Sequence, residues 1–524
     1  MRKLLSAILV MVIIVCVMPV TVFGEEPEYV TIGGHEIPKD ITEICIGADN
    51  TRMGELGFKR GDFYFISEIN ISELYKKLPQ LESITIAKSR IKNEYRFSKF
   101  KDLKTLELYE CKGISDLSFA PNCKNLTEFA FTQDGLKDIS YIGKMTRLKK
   151  LTIADATTYG YILSEYIELK KKVQSGGHLW DLSPLENLKD LTDLTVEGAA
   201  IEDISFLENM QKLTSFTLAN AVKTDLSPLG ELENLKSFTL KNSGARFIKQ
   251  SAWYYHIDLP VMKRLNYLSL NSCEINEDAL SKLPELKTLK LIGSNIVGKN
   301  EEKDSGSQNL PKIEALILDD VRIAVDVLSG FTSLKSLEIY DSSFYDADDP
   351  DADYYYSLDF LKNMHSLKRL TVCECFINDI SGIKNLSELE YIDLSNNRLR
   401  KLPSLKKLTN LKHLDLSYAF FGDSSERYYD DGVLSPIGDL KKLEYLDISW
   451  IYDLPDDYSL WKPGVKDSIF DVLASLPELK TLKISAIYKY GNLMEDKEKE
   501  RSKDFEEKMP YCEVSIEYAD IIFD

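Results

Sequence analysis

The sequence predicts an α/β solenoid, and three observations predict it. An apolar frame, L-x-x-L-x-L, recurs along most of the chain. Its commonest spacing is 22 residues, as between Leu389 and Leu411. Within each frame the last two apolar residues alternate with polar ones, the period of a strand with one buried face. The stretch 386–417, LSELEYIDLSNNRLRKLPSLKKLTNLKHLDLS, holds two consecutive copies: Leu389, Ile392, Leu394 and Asn397, then Leu411, Leu414 and Leu416.

One such strand cannot bury its apolar side alone. Stacked copies can, because each covers the next and the core becomes continuous. The frame and its period, within the roughly 20–29 residues of that class, are those of a leucine-rich repeat. The expected architecture is a curved horseshoe with a parallel, concave β-sheet and short 3₁₀ or helical segments on the convex side. Asn397, at the end of its frame, is expected to turn its amide inward and satisfy backbone groups of the turn.

Residues 1–24 read as a secretory signal peptide. Arg2 and Lys3 form the basic start, Leu4 to Val17 is nearly all apolar, and small Gly24 precedes Glu25. The apolar run is short for a membrane span and breaks near Pro19. Cys16 follows Val15, where a lipobox needs a small residue. No second hydrophobic span and no LPxTG-like signal is seen, so the expectation is a secreted or cell-surface protein without a transmembrane anchor. Residues 25–75 are expected to form an N-terminal cap with a first strand frame at Ile41, Ile44 and Ile46, and a long connection over 50–75 that turns near Gly61-Asp62. Repeats are expected over 76–488 and a C-terminal capping helix and strand over 489–524.

The frames begin at Leu81, Leu103, Leu126, Leu148, Leu191, Leu213, Leu235, Leu265, Leu286, Ile313, Leu334, Leu367, Leu389, Leu411, Leu443 and Leu479. Between them a second motif recurs, as in Asp181-Leu-Ser-Pro-Leu185, Asp203-Ile-Ser-Phe-Leu207, Asp225-Leu-Ser-Pro-Leu229, Asp138-Ile-Ser-Tyr-Ile142 and Asp379-Ile-Ser-Gly-Ile383. Ser before Pro suits the cap and first position of a short helical turn. Longer gaps follow Ile153, Leu240, Leu291, Ile339, Leu416 and Ile448. All begin just after a strand, so the extra residues are expected on one rim. Tyr161–Gln174 has helical spacing, Asn300–Gln308 reads as a polar loop, Leu493–Met509 reads as a charged helix and Cys512–Ile516 as a closing strand.

The composite repeat, L-x-x-L-x-x-L-x-L-x-x-N-x-[IL]-x-D-[IL]-S-x-L, resembles that of the internalin family of bacterial surface proteins. The resemblance implies a binding module that recognises another macromolecule on its concave face. The ligand does not carry over, because it is set by the variable residues.

Formal net charge is −19, from 65 basic and 84 acidic residues. Such a surface argues against nucleic acid and against an electrostatic hold on anionic lipid. Removing the signal takes away Cys16 and leaves seven of the 8 cysteines, an odd number that cannot all pair within one chain. Cys111, Cys273 and Cys375 fall on the frame position that takes Asn or Cys, and Cys123 on an apolar position, as buried thiols would. Cys373-x-Cys375 is no metal signature, since alternate strand residues face opposite ways.

No H-E-x-x-H, G-x-S-x-G or P-loop is present, and histidines are only 5. The chain is therefore expected to be no enzyme, to carry no cofactor and to work as a monomer. The residues between the frame positions should present the ligand. In the late repeats Tyr391, His413 and Tyr445 share one column. Asp393, Asp415 and Asp447 share the next, with Glu338 extending it, and Tyr340, Tyr418 and Trp450 lie just beyond. Rows ~4.8 Å apart make the aspartates a like-charge ladder. The functional reading is an acidic, aromatic patch; the structural one is that L-D-L-S is ordinary repeat wording, its aspartates solvating the sheet or bonding to turns. Rim aromatics Trp253, Tyr254, Tyr255, Tyr354, Tyr355 and Tyr356 either surround the face or fold the insertions back as small local cores. Asp346, Asp348, Asp349, Asp351 and Asp353 form an acidic loop that could wrap Ca²⁺, though it lacks the EF-hand glycine and glutamate. The expected function is binding of a partner protein through the concave sheet and aromatic rim. The alternative is a glycan- or cell-envelope-binding adhesin, and a third reading is an enzyme or effector with its site in an insertion.

Overall fold

The structure, a computed structural model, describes residues 28–48, 63–114, 116–132, 138–154, 181–197, 201, 203–219, 224–241, 256–297, 310–346, 356–419, 434–449, 472–487, 507 and 509–519. It divides into two compact units, Met1–Tyr166 and Ile167–Asp524.

The first unit opens with an antiparallel hairpin, β1 (Tyr29–Ile32) and β2 (His35–Pro38). Gly33 and Gly34 turn it at φ of 57° and 85°, a left-handed region that glycine enters without a Cβ penalty. A parallel sheet follows: β3 (Glu43–Gly47), β4 (Ser83–Ala87), β5 (Thr105–Tyr109), β6 (Glu128–Thr132) and β7 (Lys150–Ala154). Ile44 and Ile46 are buried, as their frame requires. The connection expected up to residue 75 instead ends in an outer strand, Glu68–Asn70, and a helix, α1 (Ile71–Lys77). Asn70 caps α1, its Oδ1 accepting from Ser72 N at 3.0 Å.

The second unit is built on one long parallel sheet in continuous register. Its strands are β8 (Asp193–Glu197), β9 (Ser215–Ala219), β10 (Ser237–Lys241), β11 (Tyr267–Asn271), β12 (Thr288–Ile292), β13 (Ala315–Asp319) and β14 (Ser336–Tyr340). They continue with β15 (Arg369–Cys373), β16 (Tyr391–Asp393), β17 (His413–Asp415), β18 (Tyr445–Asp447), β19 (Thr481–Ile487) and β20 (Glu513–Ala519). Frame residues such as Leu370, Ile392, Leu414 and Leu446 occupy one rung line and are buried. Each such side chain contributes roughly 1.5–3 kcal/mol when removed from water, and only a neighbouring repeat can cover it.

Asn397 behaves as its frame demands. Its Nδ2 donates to the carbonyls of Val372 (2.6 Å), Leu394 (3.0 Å) and Ser395 (3.1 Å). Its Oδ1 accepts from Ile377 N at 3.0 Å and Cys375 N at 3.3 Å. One repeat earlier, the Cys375 thiol donates to Cys373 O at 3.0 Å. Serine fills the same position elsewhere: Ser294 Oγ donates to Leu270 O at 3.1 Å, and Ser342 Oγ accepts from Val321 N at 3.0 Å.

On the other side of the layer lie 3₁₀ segments such as Ser183–Asn187, Ser205–Asn209, Ser227–Glu231 and Ser381–Asn385. Their cap is not the serine that the sequence suggests. Asp181, Asp203, Asp225 and Asp379 each accept, through Oδ1, the N–H of the serine two residues on, at 3.0, 2.8, 2.9 and 2.9 Å. The serine is already inside the turn, and a carboxylate is the stronger acceptor for its exposed N–H. The Ser183 hydroxyl and N–H hold the Asp181 carboxyl below the usual range, and the Ser227 N–H and hydroxyl do the same for Asp225. Middle repeats depart further. They add outer strands Glu274–Asn276, Asn295–Val297, Arg322–Ala324 and Ser343–Tyr345, with helices α2 (Glu277–Ser281) and α3 (Val325–Ser329). The insertion helix at Tyr161–Gln174, the loop at Asn300–Gln308 and nearly all of the expected helix over Leu493–Met509 lie outside the described residues.

Candidate recognition surface

The parallel register of β15 to β18 brings Arg369, Tyr391, His413 and Tyr445 into one column on the face opposite the core. Strand separation of ~4.8 Å puts same-column rings close to stacking distance, and these rings lean the rest of the way. Tyr391 and His413 stack with centroids 4.1 Å apart and planes 10° off parallel. His413 and Tyr445 stack at 4.1 Å and 4°. Arg369 lies over the outer face of Tyr391, its Cζ 3.6 Å from the ring centre. Lys483 Nζ stands 5.6 Å from the Tyr445 ring centre. Each ring face in the column therefore has a partner, and what the column shows outward is ring edges.

The next column runs Glu338, Thr371, Asp393, Asp415, Asp447 and Lys483. Its aspartates bond to turns. One oxygen of each, Oδ1, ties down its own strand exit by accepting from Ser395 N (3.1 Å), Ser417 N (2.9 Å) or Ser449 N (3.0 Å). The ladder is also trimmed by cations at its ends. Lys483 Nζ is 3.6 Å from Asp447 Oδ2, and Arg369 Nε is 3.7 Å from Glu338 Oε1. Tyr445 donates its hydroxyl to Asp447 Oδ2 at 3.1 Å. Cys373 donates its thiol to Asp393 Oδ1 at 3.3 Å.

Burial and charge set the protonation of this face. Burial between the tyrosines pushes the His413 pKa down, against the pull of the Asp393 and Asp447 carboxylates and with the push of Arg369 and Lys483. Burial pushes the Asp415 carboxyl up, over the bonds from Ser417 and with the like charges of Asp393 and Asp447. Burial also raises Tyr391 and Tyr445, and takes Tyr340 to about 12 with help from Glu338. The Tyr445 phenol, then Asp447, hold Lys483 more firmly protonated. The Cys373 thiol, raised by burial, stays protonated and is a poor nucleophile.

Tyr340 and Tyr418 lie beside these columns at 37% and 41% exposure. Tyr418 occupies a left-handed exit turn, φ 56°, a position filled in other repeats by Lys88, Glu110, Ser272, Asp320, Asp341, Glu374 and Asn396. Tyr356 is exposed, and Asp346 is half-buried. Trp450, Trp253, Tyr254, Tyr255, Tyr354, Tyr355, Asp348, Asp349, Asp351 and Asp353 lie outside the described residues, so the rim cluster and most of the acidic loop are not placed. Among the described residues there is no group of three or more His, Cys, Asp or Glu side chains able to hold a metal ion. Nor is any helix there long and apolar enough to cross a membrane.

Sequence reasoning missed Arg369, Lys483 and Thr371. The signal was available, since all three fall on column positions one repeat beyond the aromatic and acidic runs. Their contribution lies in contacts between strands, which the repeat pattern does not encode.

A family model for leucine-rich repeats (two copies) matches residues 387–425. No curated protein sequence matches the chain. Among solved structures, the chain is similar to an internalin, inlF, from Listeria monocytogenes, at 21% identity and a TM-score of 0.39, over 79% of this chain and 90% of that one. It is similar to a leucine-rich repeat protein from Leptospira interrogans at 19% identity and a TM-score of 0.46, over 84% and 91%. A third is the leucine-rich repeat ectodomain of the receptor kinase GASSHO1/SCHENGEN3 from Arabidopsis thaliana, in complex with Casparian strip integrity factor 2. There identity is 14% and the TM-score 0.32, over 85% of this chain and 64% of that one.

Proposed function

We propose that this chain is a secreted, monomeric, non-catalytic recognition protein that binds a partner protein through the outward columns of β14 to β18. A leucine-rich repeat sheet suits protein interaction because its side chains are held in place before the partner arrives, so little ordering entropy is lost on binding. The observation that carries the reading is the stacked column Arg369–Tyr391–His413–Tyr445 beside the aspartates. Large, rigid, half-buried groups with polar edges are the kind that dominate protein interfaces. Tyr340 and Tyr418 extend it, and Trp450 and the rim aromatics are proposed to complete it.

The glycan reading draws less support from this column. Sugars use aromatics by lying on ring faces, and those faces are taken by neighbouring rings, Arg369 and Lys483. Soluble sugars are therefore expected not to compete. The test is affinity capture from cell-envelope and culture extracts with residues 25–524, beside a Tyr391→Ala/Tyr445→Ala/Trp450→Ala variant that keeps its circular dichroism and melting behaviour. A partner held by the wild type and lost by the variant supports this surface. A partner held equally by both removes it and points to the insertions.

A further inference from the structure

The chemistry of the partner can be read from which polar atoms of this face already have partners. At its two ends they do. Glu338 accepts the Tyr340 hydroxyl at 3.3 Å and faces Arg369, while Asp447 accepts from Tyr445 and Ser449 and faces Lys483. On the middle strands, β16 and β17, they do not. Asp393 and Asp415 use Oδ1 on their turns, and the Ser417 hydroxyl adds to the hold on Asp415, while among the described residues no donor reaches Asp393 Oδ2 and no cation pairs with either carboxylate. The rings of Tyr391 and His413 are stacked, and among the described residues no hydrogen bond reaches the Tyr391 hydroxyl or the His413 ring nitrogens. One rung on, Thr371 is 2% exposed and its Oγ1 has no hydrogen-bond partner among the described residues. A buried hydroxyl left alone costs about 1–3 kcal/mol, a cost that a polar group brought onto this face would offset.

These atoms are chiefly acceptors, and two are carboxylate oxygens on adjacent rungs. They call for a ligand rich in donors and positively charged. Lysine would offer a point charge. A guanidinium offers five N–H donors in a flat fork, which reaches two carboxylates a strand apart and leaves donors for a hydroxyl or an imidazole nitrogen. The chain's own nearby cations do not fill the place: Arg369 lies on Tyr391 and Lys483 is held by Asp447 and Tyr445. The formal charge of −19 on the whole chain also favours approach of a basic segment.

We infer that the middle of this face seats an arginine side chain of the partner protein, its guanidinium bridging Asp393 and Asp415 next to Thr371 and His413. This rests on the protein-recognition reading above and names the chemistry of that same site.

The test uses the full secreted chain and three labelled eight-residue peptides, Arg-Ser, Lys-Ser and Glu-Ser repeats, read by fluorescence anisotropy near physiological salt. The arginine peptide is expected to bind several-fold tighter than the lysine one, and the glutamate one not to bind. Asp393→Asn/Asp415→Asn keeps an oxygen for each turn N–H and should retain the fold. It is expected to weaken the arginine peptide about tenfold or more, the range measured for close interfacial charge pairs. Asp203→Asn/Asp225→Asn removes the same charge from the 3₁₀ side and should leave binding within about twofold, which surface charge far from a site rarely exceeds. Equal weakening by both pairs, weakening by neither, equal binding of the lysine peptide, or no binding of the arginine peptide overturns the inference. If the captured partner is nonetheless lost by the Tyr391/Tyr445/Trp450 variant, the recognition surface stands and only its assigned chemistry falls.

Discussion

Strands β8 to β10 and strands β15 to β18 belong to the same sheet and bury the same kind of inward rung, yet they face outward with different chemistry. In the early strands the outward columns are short polar groups: Asp193, Ser215 and Ser237 in one, Thr195, Thr217 and Thr239 in the next. The charged pair there, Lys241 Nζ to Glu197 Oε1 at 2.7 Å, is satisfied within the chain. In the late strands the same columns hold arginine, stacked rings and carboxylates. Aromatic stacking occurs in both places with opposite meaning. Phe216 and Phe238 stack at 5.8 Å inside and are fully buried. Tyr391, His413 and Tyr445 stack outside and keep polar edges toward the solvent side. The apolar frame thus makes the sheet wherever it occurs, and the residues between frame positions decide whether a stretch of sheet is a scaffold or a surface.

The largest effects should leave that contrast untouched. Leu218→Ala and Ile392→Ala remove comparable buried side chains from the early and late strands, and each is expected to cost about 2–5 kcal/mol in denaturant unfolding. A much smaller cost at Ile392 would mean that the late strands are packed differently. Next is Asn397→Ala. It leaves several turn N–H and C=O groups unpaired at a cost of about 3 kcal/mol. Asn397→Cys should recover part of this in the same unfolding experiment, because the Cys375 thiol fills that position one repeat earlier.

Outward substitutions sharpen the comparison. Tyr391→Ala loses stacking on both sides and should cost about 1–2 kcal/mol, while Thr217→Ala at an early outward position should stay within about 0.5 kcal/mol. The smallest effect is in pH. The His413 pKa is lowered below its ordinary 6.5 in the folded state. The unfolded chain therefore takes up the proton first, and stability drops as pH falls through 6.5 toward the folded value. Asp415, raised above its ordinary 3.8, works the other way: its burial cost is present at neutral pH and is relieved as pH falls through its folded value. Thermal melts from pH 7.5 to 5.5 should show the wild type losing stability relative to His413→Phe, which keeps the stack without the proton. Parallel curves for the two proteins would show that His413 carries no such linkage.

The fold was legible because stacking imposes its period on the sequence. Leu389, Ile392, Leu394 and Asn397 can be read as inward from spacing alone, and the same count aligns Tyr391, His413 and Tyr445 outward. Features that depend on three-dimensional chemistry rather than period were less legible. Ser294 and Ser342 do the work of the frame asparagine, yet a search for Asn or Cys passes over them. Asp181, rather than Ser183, caps its turn, because the N–H to be satisfied is the serine's own. Outer strands such as Ser343–Tyr345 are too short to show a period. The clamping of the stack by Arg369 and Lys483 is a relation between strands that no single frame contains.

Recognition is proposed to belong to the late outward columns and not to the sheet at large. Its most direct test is the affinity of the captured partner for two folded double variants, Tyr391→Ala/Tyr445→Ala and Thr217→Ala/Thr239→Ala. A loss of about tenfold or more is expected for the late pair, as befits central aromatic contacts, and a change within about twofold for the early pair. An equal or greater loss from the early pair would contradict it.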